Sequence, residues 1–144
     1  MREILFKAKR VDNGTWVEGL LWKKKYNDGN RIFISCFPDK DDNEEVYVVC
    51  PETVSQFTGL YDKHGNRIFE GDICQIKGIS YIDETPFVVE WNDEYSGWFW
   101  RELSFSSPTD TITPEIAKTA KVIGNIHDNG ELLTAERIGE KERI

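Results

Sequence analysis

The side chains in this chain best suited to chemistry are three cysteines and two histidines, which could form a nucleophilic Cys–His pair or ligate a metal. Cys36, Cys50 and Cys74 are widely spaced in apolar runs, where a free cysteine usually behaves as a small buried hydrophobe. We therefore expect three inert core thiols. Because such partners meet in space rather than in sequence, a Cys–His pair stays open as the less favoured alternative.

The two histidines both lie in turn-forming sequence. His64 is at the apex of a hairpin, and His127 directly precedes Asp128-Asn129-Gly130. Two separate turns do not supply a histidine metal site, and no Cys-x-x-Cys spacing offers thiolate ligands. We predict no metal and no cofactor.

Carboxylates form two candidate groups, and each has a simpler explanation. Glu70 and Asp72 flank Gly71, so we expect them to shape a turn rather than to act as a general acid and base. Asp39–Glu44 begins like a calcium loop, but Glu44 stands where the loop needs glycine and Cys50 stands where it needs glutamate. Glycine-rich phosphate loops and nucleophile elbows are also absent from the sequence. We predict no catalytic residues; an unrecognised enzyme is the third hypothesis.

An aromatic cluster surrounds a predicted loop near residues 92–97. Its members Trp91, Tyr95, Trp98 and Trp100 form a candidate interaction surface. Core packing is the default interpretation of such a cluster, and a protein-binding or oligomer surface is the second. The acidic run Asp83–Glu94 would repel a phosphate backbone, which disfavours base stacking here.

The formal net charge is −8, and it is unevenly distributed. Residues 1–38 hold eight Lys/Arg and four Asp/Glu, whereas residues 39–144 hold ten and twenty-two. This balance makes nucleic acid an unlikely main partner. Two alternatives stay open: a nucleic-acid module using Lys23–Lys25 and Arg31 with Trp22 and Tyr26, or an acidic half that mimics DNA.

The elements that must position these residues are mostly strands. Turn signals recur every ten to twenty residues, separated by short β-branched and aromatic runs. This spacing predicts a mainly β fold of short antiparallel strands in a barrel-like arrangement, with an SH3-like C-terminal part and little helix. The predicted strands are Ile4–Ala8, Thr15–Trp22, Arg31–Phe37, Glu45–Cys50, Asp72–Lys77, Phe87–Trp91, Trp98–Arg101 and Lys121–Ile126.

Short helices and one strand with two apolar faces complete the predicted elements. Thr113-Pro114-Glu115 predicts the start of a short helix, and Glu131–Ile144 predicts a further turn or two of helix. Thr15–Trp22 is apolar on both faces, which is typical of a central strand or of a strand between two packed subunits. Self-association is therefore expected.

Chain length and composition favour one domain over residues 1–144, or two closely packed β subdomains over about 1–52 and 53–144. The longest apolar stretches fall far short of a bilayer span, and the N-terminus runs directly into a strand-like pattern rather than a signal peptide. We expect a cytoplasmic protein with no membrane contact.

The most specific local feature is a hairpin between Leu60 and Ile68. Asp62 suits the first position of a type I turn, and Gly65 suits a closing position with left-handed backbone. We predict that Gly59, Asp62, Gly65, Gly71 and Asp72 form a structural turn motif.

This region resembles the YopX-like proteins, a family encoded by bacteriophages and prophages, mainly of Gram-positive bacteria. The resemblance is carried by Thr53–Leu60, Asp62–Gly65 and Ile68–Ile73, and more weakly by Met1–Phe6, Trp16–Gly19, Val122–Ile126 and Glu131–Leu133. It implies a mainly β fold with self-association, and it supplies no activity or catalytic residue. Our leading hypothesis is a phage or prophage accessory protein that binds a host or phage protein.

Overall fold

The computed structural model describes residues 3–37, 43–76 and 86–131. Among these residues, strands predominate and one short helix is present. The elements are β1 Phe6–Lys9, β2 Trp16–Tyr26, β3 Gly29–Cys36, β4 Glu45–Val48, a 3-10 turn Pro51–Thr53, β5 Ser55–Tyr61, β6 Arg67–Phe69, β7 Asp72–Ile76, β8 Pro86–Asn92, β9 Gly97–Glu102, β10 Asp110–Thr111, α1 Pro114–Thr119 and β11 Ala120–Asn125.

The strands form two antiparallel sheets. One has the order β4-β3-β2-β1-β5-β6, and the other has the order β10-β9-β8-β7-β11. The prediction of a mainly β fold with little helix is confirmed. Neither sheet is closed into a barrel within the described residues, so the barrel-like arrangement and its SH3-like part stay predictions.

The chain divides into two compact units, residues 1–59 and residues 60–144. In unit 1 the long β2–β3 hairpin is in register from Leu20 opposite Ser35 to Tyr26 opposite Gly29. Gly29 has a φ of 128°, which suits the tight turn between these strands. The core of unit 1 is small and aliphatic around the buried residues Ala8, Ile34 and Val49.

One face of β2 packs on this core and the other does not. Val17 and Leu21 contact the core, whereas Leu20 and Trp22 are exposed on the opposite face. Strand β2 therefore lies in the interior of its sheet, as the apolar pattern of Thr15–Trp22 predicts. Its face with Leu20 and Trp22 stays exposed among the described residues.

Unit 2 packs around larger side chains. Strands β7, β8 and β9 form a meander, and β11 returns to pair with β7. The main core includes Ile68, Phe87, Val89 and Trp100.

Helix α1 begins as the sequence predicts: the Thr113 hydroxyl accepts a hydrogen bond from the Ile116 N–H at 3.3 Å, and Pro114 follows the cap. The helix predicted over Glu131–Ile144 lies outside the described residues from 132 onward. Within the described ranges, no helix has the length and apolar character needed to cross a bilayer.

Candidate functional site

The hairpin turn is organised by one buried carboxylate. Asp62 is 4% exposed; its Oδ1 accepts from the N–H groups of His64 and Asn66, each at 2.9 Å. Its Oδ2 accepts from the Val122 N–H on β11 at 3.1 Å. Burial raises the pKa of the Asp62 carboxyl, but the N–H groups that donate to its charged form outweigh burial and bring the pKa below its usual value. Gly65, with a φ of 80°, donates to the Asp62 carbonyl at 3.0 Å.

The other members of the turn motif also make backbone connections. Gly71 has a φ of 82°, donates to the Val89 carbonyl at 2.7 Å and accepts from the Ile126 N–H at 3.0 Å. Asp72 is buried, and its Oδ2 accepts from the Phe69 N–H at 2.8 Å. Gly59 has a φ of 86°. These contacts hold strands together and present no open polar group to a substrate.

Of the three cysteines predicted to be core thiols, Cys74 is buried, whereas Cys36 and Cys50 are half-buried. Cys74 is fully buried, and burial raises the pKa of its thiol far above the usual value. Burial also raises the pKa of Cys36, whose Sγ donates to the Glu18 carbonyl at 3.0 Å. A reactive cysteine needs a lowered pKa, so neither thiol is suited to nucleophilic attack. No group of three His, Cys, Asp or Glu side chains within the described residues is placed to hold a metal ion.

The aromatic cluster of unit 2 is split between core and surface. Trp100 is 6% exposed and packs edge-on against Phe87 with ring centroids 5.3 Å apart. Trp100 therefore follows the default interpretation of core packing and is not exposed: it pairs with Val89, well inside the β8–β9 hairpin. Trp98 is half-buried and contacts Trp91 at 5.1 Å.

The exposed rings of this cluster lie at the turn end of the β8–β9 hairpin. Trp91 is exposed, and its Nε1 donates to the Asp93 carboxylate at 2.9 Å. Tyr95, 68% exposed, lies 5.5 Å from the Phe99 ring. The exposed part of the predicted surface is thus Trp91 and Tyr95 with partial access to Trp98, a small patch at one turn.

A larger apolar surface lies on unit 1. Five large side chains at alternating positions share the outer face of β2, β3 and β4, and each is between 39% and 54% exposed. We call this set the apolar face: Leu20, Trp22, Phe37, Val46 and Val48. Strand register builds it in two rows, Leu20–Ser35–Val46 and Trp22–Phe33–Val48.

Two contacts hold the Trp22 side chain in place within the apolar face. The Trp22 ring stacks on Phe33 with centroids 4.3 Å apart and an interplanar angle of 13°. The Trp22 Nε1 also donates to the Ser35 hydroxyl at 2.8 Å. An indole fixed on both its ring face and its N–H edge loses little conformational entropy on binding, which favours tight contacts.

Four cations and one tyrosine lie at the turn end of the β2–β3 hairpin. We call this set the basic hairpin: Lys23, Lys24, Lys25, Tyr26 and Arg31. The Tyr26 ring lies beneath two of its cations, with the Arg31 guanidinium 4.3 Å and the Lys24 Nζ 5.4 Å from the ring centroid. Such contacts hold charged side chains in place without removing their charge.

A shallow cavity of about 530 Å³ borders the edge of β4. Its walls include Arg10, Arg31 and Tyr47 together with valine side chains. The Arg10 guanidinium lies 4.2 Å from the Tyr47 ring and forms two hydrogen bonds with Asp12, at 2.6 and 2.9 Å. The carboxylate of Asp12 already neutralises this arginine, so the cavity has little electrostatic attraction for an anion.

Comparison with known proteins identifies the family. The family model described as "YopX protein" matches residues 5–134. The chain belongs to the YopX protein family. The family resemblance seen in Thr53–Ile73 is therefore confirmed, and that segment is the one that builds the Asp62 turn.

A solved structure shares the fold. The crystal structure of protein EF1440 from Enterococcus faecalis is similar with a TM-score of 0.54 and 24% sequence identity, covering 92% of this chain and 99% of that one. At this identity the likeness extends to the fold alone. Among curated proteins, none matches the chain.

Sequence reasoning found part of the apolar face and missed the rest. The apolar character of both faces of Thr15–Trp22 signalled Leu20 and Trp22. Val46, Val48 and Phe37 were assigned only to predicted strands. The available signal was alternation in β4, where Val46 and Val48 share one side and Tyr47 lies on the other.

Proposed function

We propose that this YopX-family chain is a non-enzymatic protein-binding module that binds its partner through the apolar face of unit 1. The observation that carries this proposal is the exposure of five large apolar side chains on one face of one sheet. Contiguous apolar surface of this kind is rare on monomeric proteins and marks sites of association.

The chemistry of the face fits a protein partner better than a small molecule. A sheet face offers flat contact area, and tryptophan is the residue type most enriched among energetically dominant interface positions. Trp22 lies at one side of the face, next to Leu20 on β2, and is fixed by Phe33 and Ser35. An exposed tryptophan beside aliphatic side chains is a suitable anchor for a protein interface.

We further propose a phage or prophage origin and a cytoplasmic location in the host, supported by the family assignment. The partner is then a host or phage protein, or a second copy of this chain. Charge favours the second copy in one arrangement: β2 carries Glu18 before the apolar face and Lys24 after it. Two copies packed with antiparallel β2 strands would oppose these charges, as a two-fold interface requires.

Two other hypotheses are weaker. For an acidic DNA mimic, three carboxylates are not open to a partner, because Asp62 and Asp72 are buried and Glu90 forms an ion pair with Arg101 at 2.7 Å. An enzyme needs an activated group, and the raised pKa values of Cys36 and Cys74 disfavour the cysteines for that role.

The test uses the double variant Leu20→Ser/Val46→Ser, which removes apolar contacts from the face without touching the core. The matched control is Phe105→Ser, because Phe105 in unit 2 is as exposed as Leu20, at 54%. We expect the wild-type chain to form a dimer by light scattering on a sizing column, or a tagged copy to recover one specific host protein. The double variant should lose that association at least tenfold, and the control should retain it. Equal association by the double variant would refute the proposal, as would a wild-type chain that is monomeric and recovers nothing.

A further inference from the structure

We propose that the basic hairpin of unit 1 is a second binding site, and that its ligand is single-stranded nucleic acid. The site adjoins the apolar face at Trp22, and its cations lie beyond that face at the turn end of the β2–β3 hairpin. Its cations lie on two paired strands: Lys24 is directly opposite Arg31, and Lys25 is opposite Asn30.

Strand alternation spreads the positive charge around the end of the hairpin. Lys24 and Arg31 share one face of the sheet, whereas Lys23 and Lys25 lie on the other. All four side chains are exposed. A flexible phosphate backbone that follows this end of the hairpin therefore meets cations on both sides.

Opposing charge at this site is small. Between residues 19 and 36 the sequence contains four Lys/Arg and one acidic residue, Asp28. Asp28 forms an exposed ion pair with Arg31 at 3.0 Å. Within the described residues, no carboxylate pairs with Lys23 or Lys25. The hairpin thus keeps a local positive charge in a chain whose net charge is −8.

Aromatic rings lie where bases could stack. Tyr26 is half-buried beside two cations, and its ring centroid is 6.4 Å from that of Phe33, on which Trp22 stacks. The outer face of the Trp22 ring is partly exposed. Proteins that bind single strands without sequence preference commonly combine aromatic rings with cations, because every base has a π-face on which a ring can stack.

The small size of the site favours a single strand over a duplex. Four cations contact only a few phosphates, and a rigid duplex would also approach the acidic remainder of the chain. Single strands can turn around the hairpin and add base stacking to the weak electrostatic attraction. The proposal predicts weak, strongly salt-dependent binding with little sequence preference.

The experiment measures fluorescence anisotropy of a labelled oligothymidine of about 15 nucleotides, a length within the site sizes of single-strand binders. The full chain is titrated at several salt concentrations. Neutralising the three lysines (Lys23→Gln, Lys24→Gln, Lys25→Gln) should weaken binding at least tenfold at low salt. It should also reduce the slope of log affinity against log salt by about 2, since each phosphate contact contributes about 0.7.

The matched control neutralises three exposed lysines of unit 2, Lys63, Lys118 and Lys121, and should leave binding nearly unchanged. Tyr26→Leu should weaken binding about tenfold at every salt concentration, because stacking is insensitive to salt. Flat titrations at low salt would overturn the proposal. So would equal losses in the two lysine triplets, or binding to anionic phosphatidylserine vesicles with none to the oligonucleotide. Because the lysine variants leave the apolar face intact, failure here does not bear on the protein-binding proposal.

Discussion

The two units differ in the side chains at the centre of their cores. In unit 2 the rings of Phe87 and Trp100 are buried and contact each other in the main core. In unit 1 the core is aliphatic around Ala8, Ile34 and Val49, and Trp22 and Phe37 remain on the exposed side of the sheet. Aromatic content alone therefore does not distinguish the core of the molecule from its exposed surface.

The charged residues follow the same division. In unit 2, Asp62 and Asp72 are buried acceptors for backbone N–H groups, and Arg101 pairs with Glu90. In unit 1, Lys23–Lys25 extend into solvent. Unit 2 therefore buries two carboxylates and two large rings, whereas the β2–β3 hairpin of unit 1 exposes Trp22 and three lysines. The following experiments challenge this contrast, in order of decreasing effect.

The largest effect is expected from truncating one tryptophan in each unit. Trp100→Ala removes a buried ring and should lower the free energy of unfolding by about 3–5 kcal/mol. Trp22→Ala loses a surface stack and the hydrogen bond to Ser35, and should cost about 1–2 kcal/mol. Urea denaturation followed by circular dichroism measures both values.

A conservative variant sharpens the same test. Trp100→Phe should cost much less than Trp100→Ala, because the buried Nε1 of Trp100 has no hydrogen-bond acceptor among the described residues. Equal losses of unfolding free energy for Trp100→Ala and Trp22→Ala would contradict the assignment of Trp100 to the core and of Trp22 to the surface.

The next effect concerns the buried carboxylate of unit 2. Asp62→Asn replaces one of the two accepting oxygens with an NH2 group, which donates and cannot accept, and should lower stability by about 1.5–3 kcal/mol at pH 7. The pKa of Asp62 is lowered in the folded state. Its contribution is therefore fully present above the usual value of 3.8 and is lost as the pH falls through the lower folded pKa.

Urea denaturation at pH 7 and at several acidic pH values checks this linkage. The stability difference between the wild-type chain and Asp62→Asn should narrow as the pH falls below about 4. A difference that stays constant with pH would show that the charge of Asp62 does not contribute to folding.

The smallest effect in this series is conformational. Gly65→Val should cost at least about 1–2 kcal/mol, because a β-branched residue resists a φ of 80°. A Cβ atom at this position has no other atom within 4 Å, so the expected cost comes from the backbone conformation. Gly65→Asn, which tolerates left-handed backbone, is the matched control and should cost less. Thermal unfolding that is unchanged in Gly65→Val would refute this account of the turn.

Local chemistry made much of the fold predictable. The turn at Asp62 and Gly65 and the helix cap at Thr113 depend on residues within four positions of each other, and both have the expected geometry. Eight strand positions followed from alternation and turn residues, whereas β5, β6 and β10 were not among the predicted strands. The closing of a sheet depends on pairing between distant strands, which sequence patterns do not encode; the barrel-like arrangement therefore could not be settled from the sequence.

The candidate site was less predictable for a related reason. The residues Trp91 and Trp100 occupy the same face of their sheet, and only the distance from the hairpin end exposes one and buries the other. Likewise, the alternation of β2 shows two apolar faces but not which one the core covers. That choice depends on strands that fold onto β2 from elsewhere in the chain.

The hydrogen bond between Asp62 and Val122 has a consequence for biosynthesis. It joins residues 60 positions apart, so a ribosome must release all of β7 to β11 before the carboxylate meets its last donor. Until then, the hairpin of β5 and β6 has its local contacts and the pairing of β5 with β1. Unit 1 contains all of its core-forming strands by residue 59 and can form while the remainder is still being translated. A nascent chain would thus expose its apolar face and basic hairpin before its second half has folded.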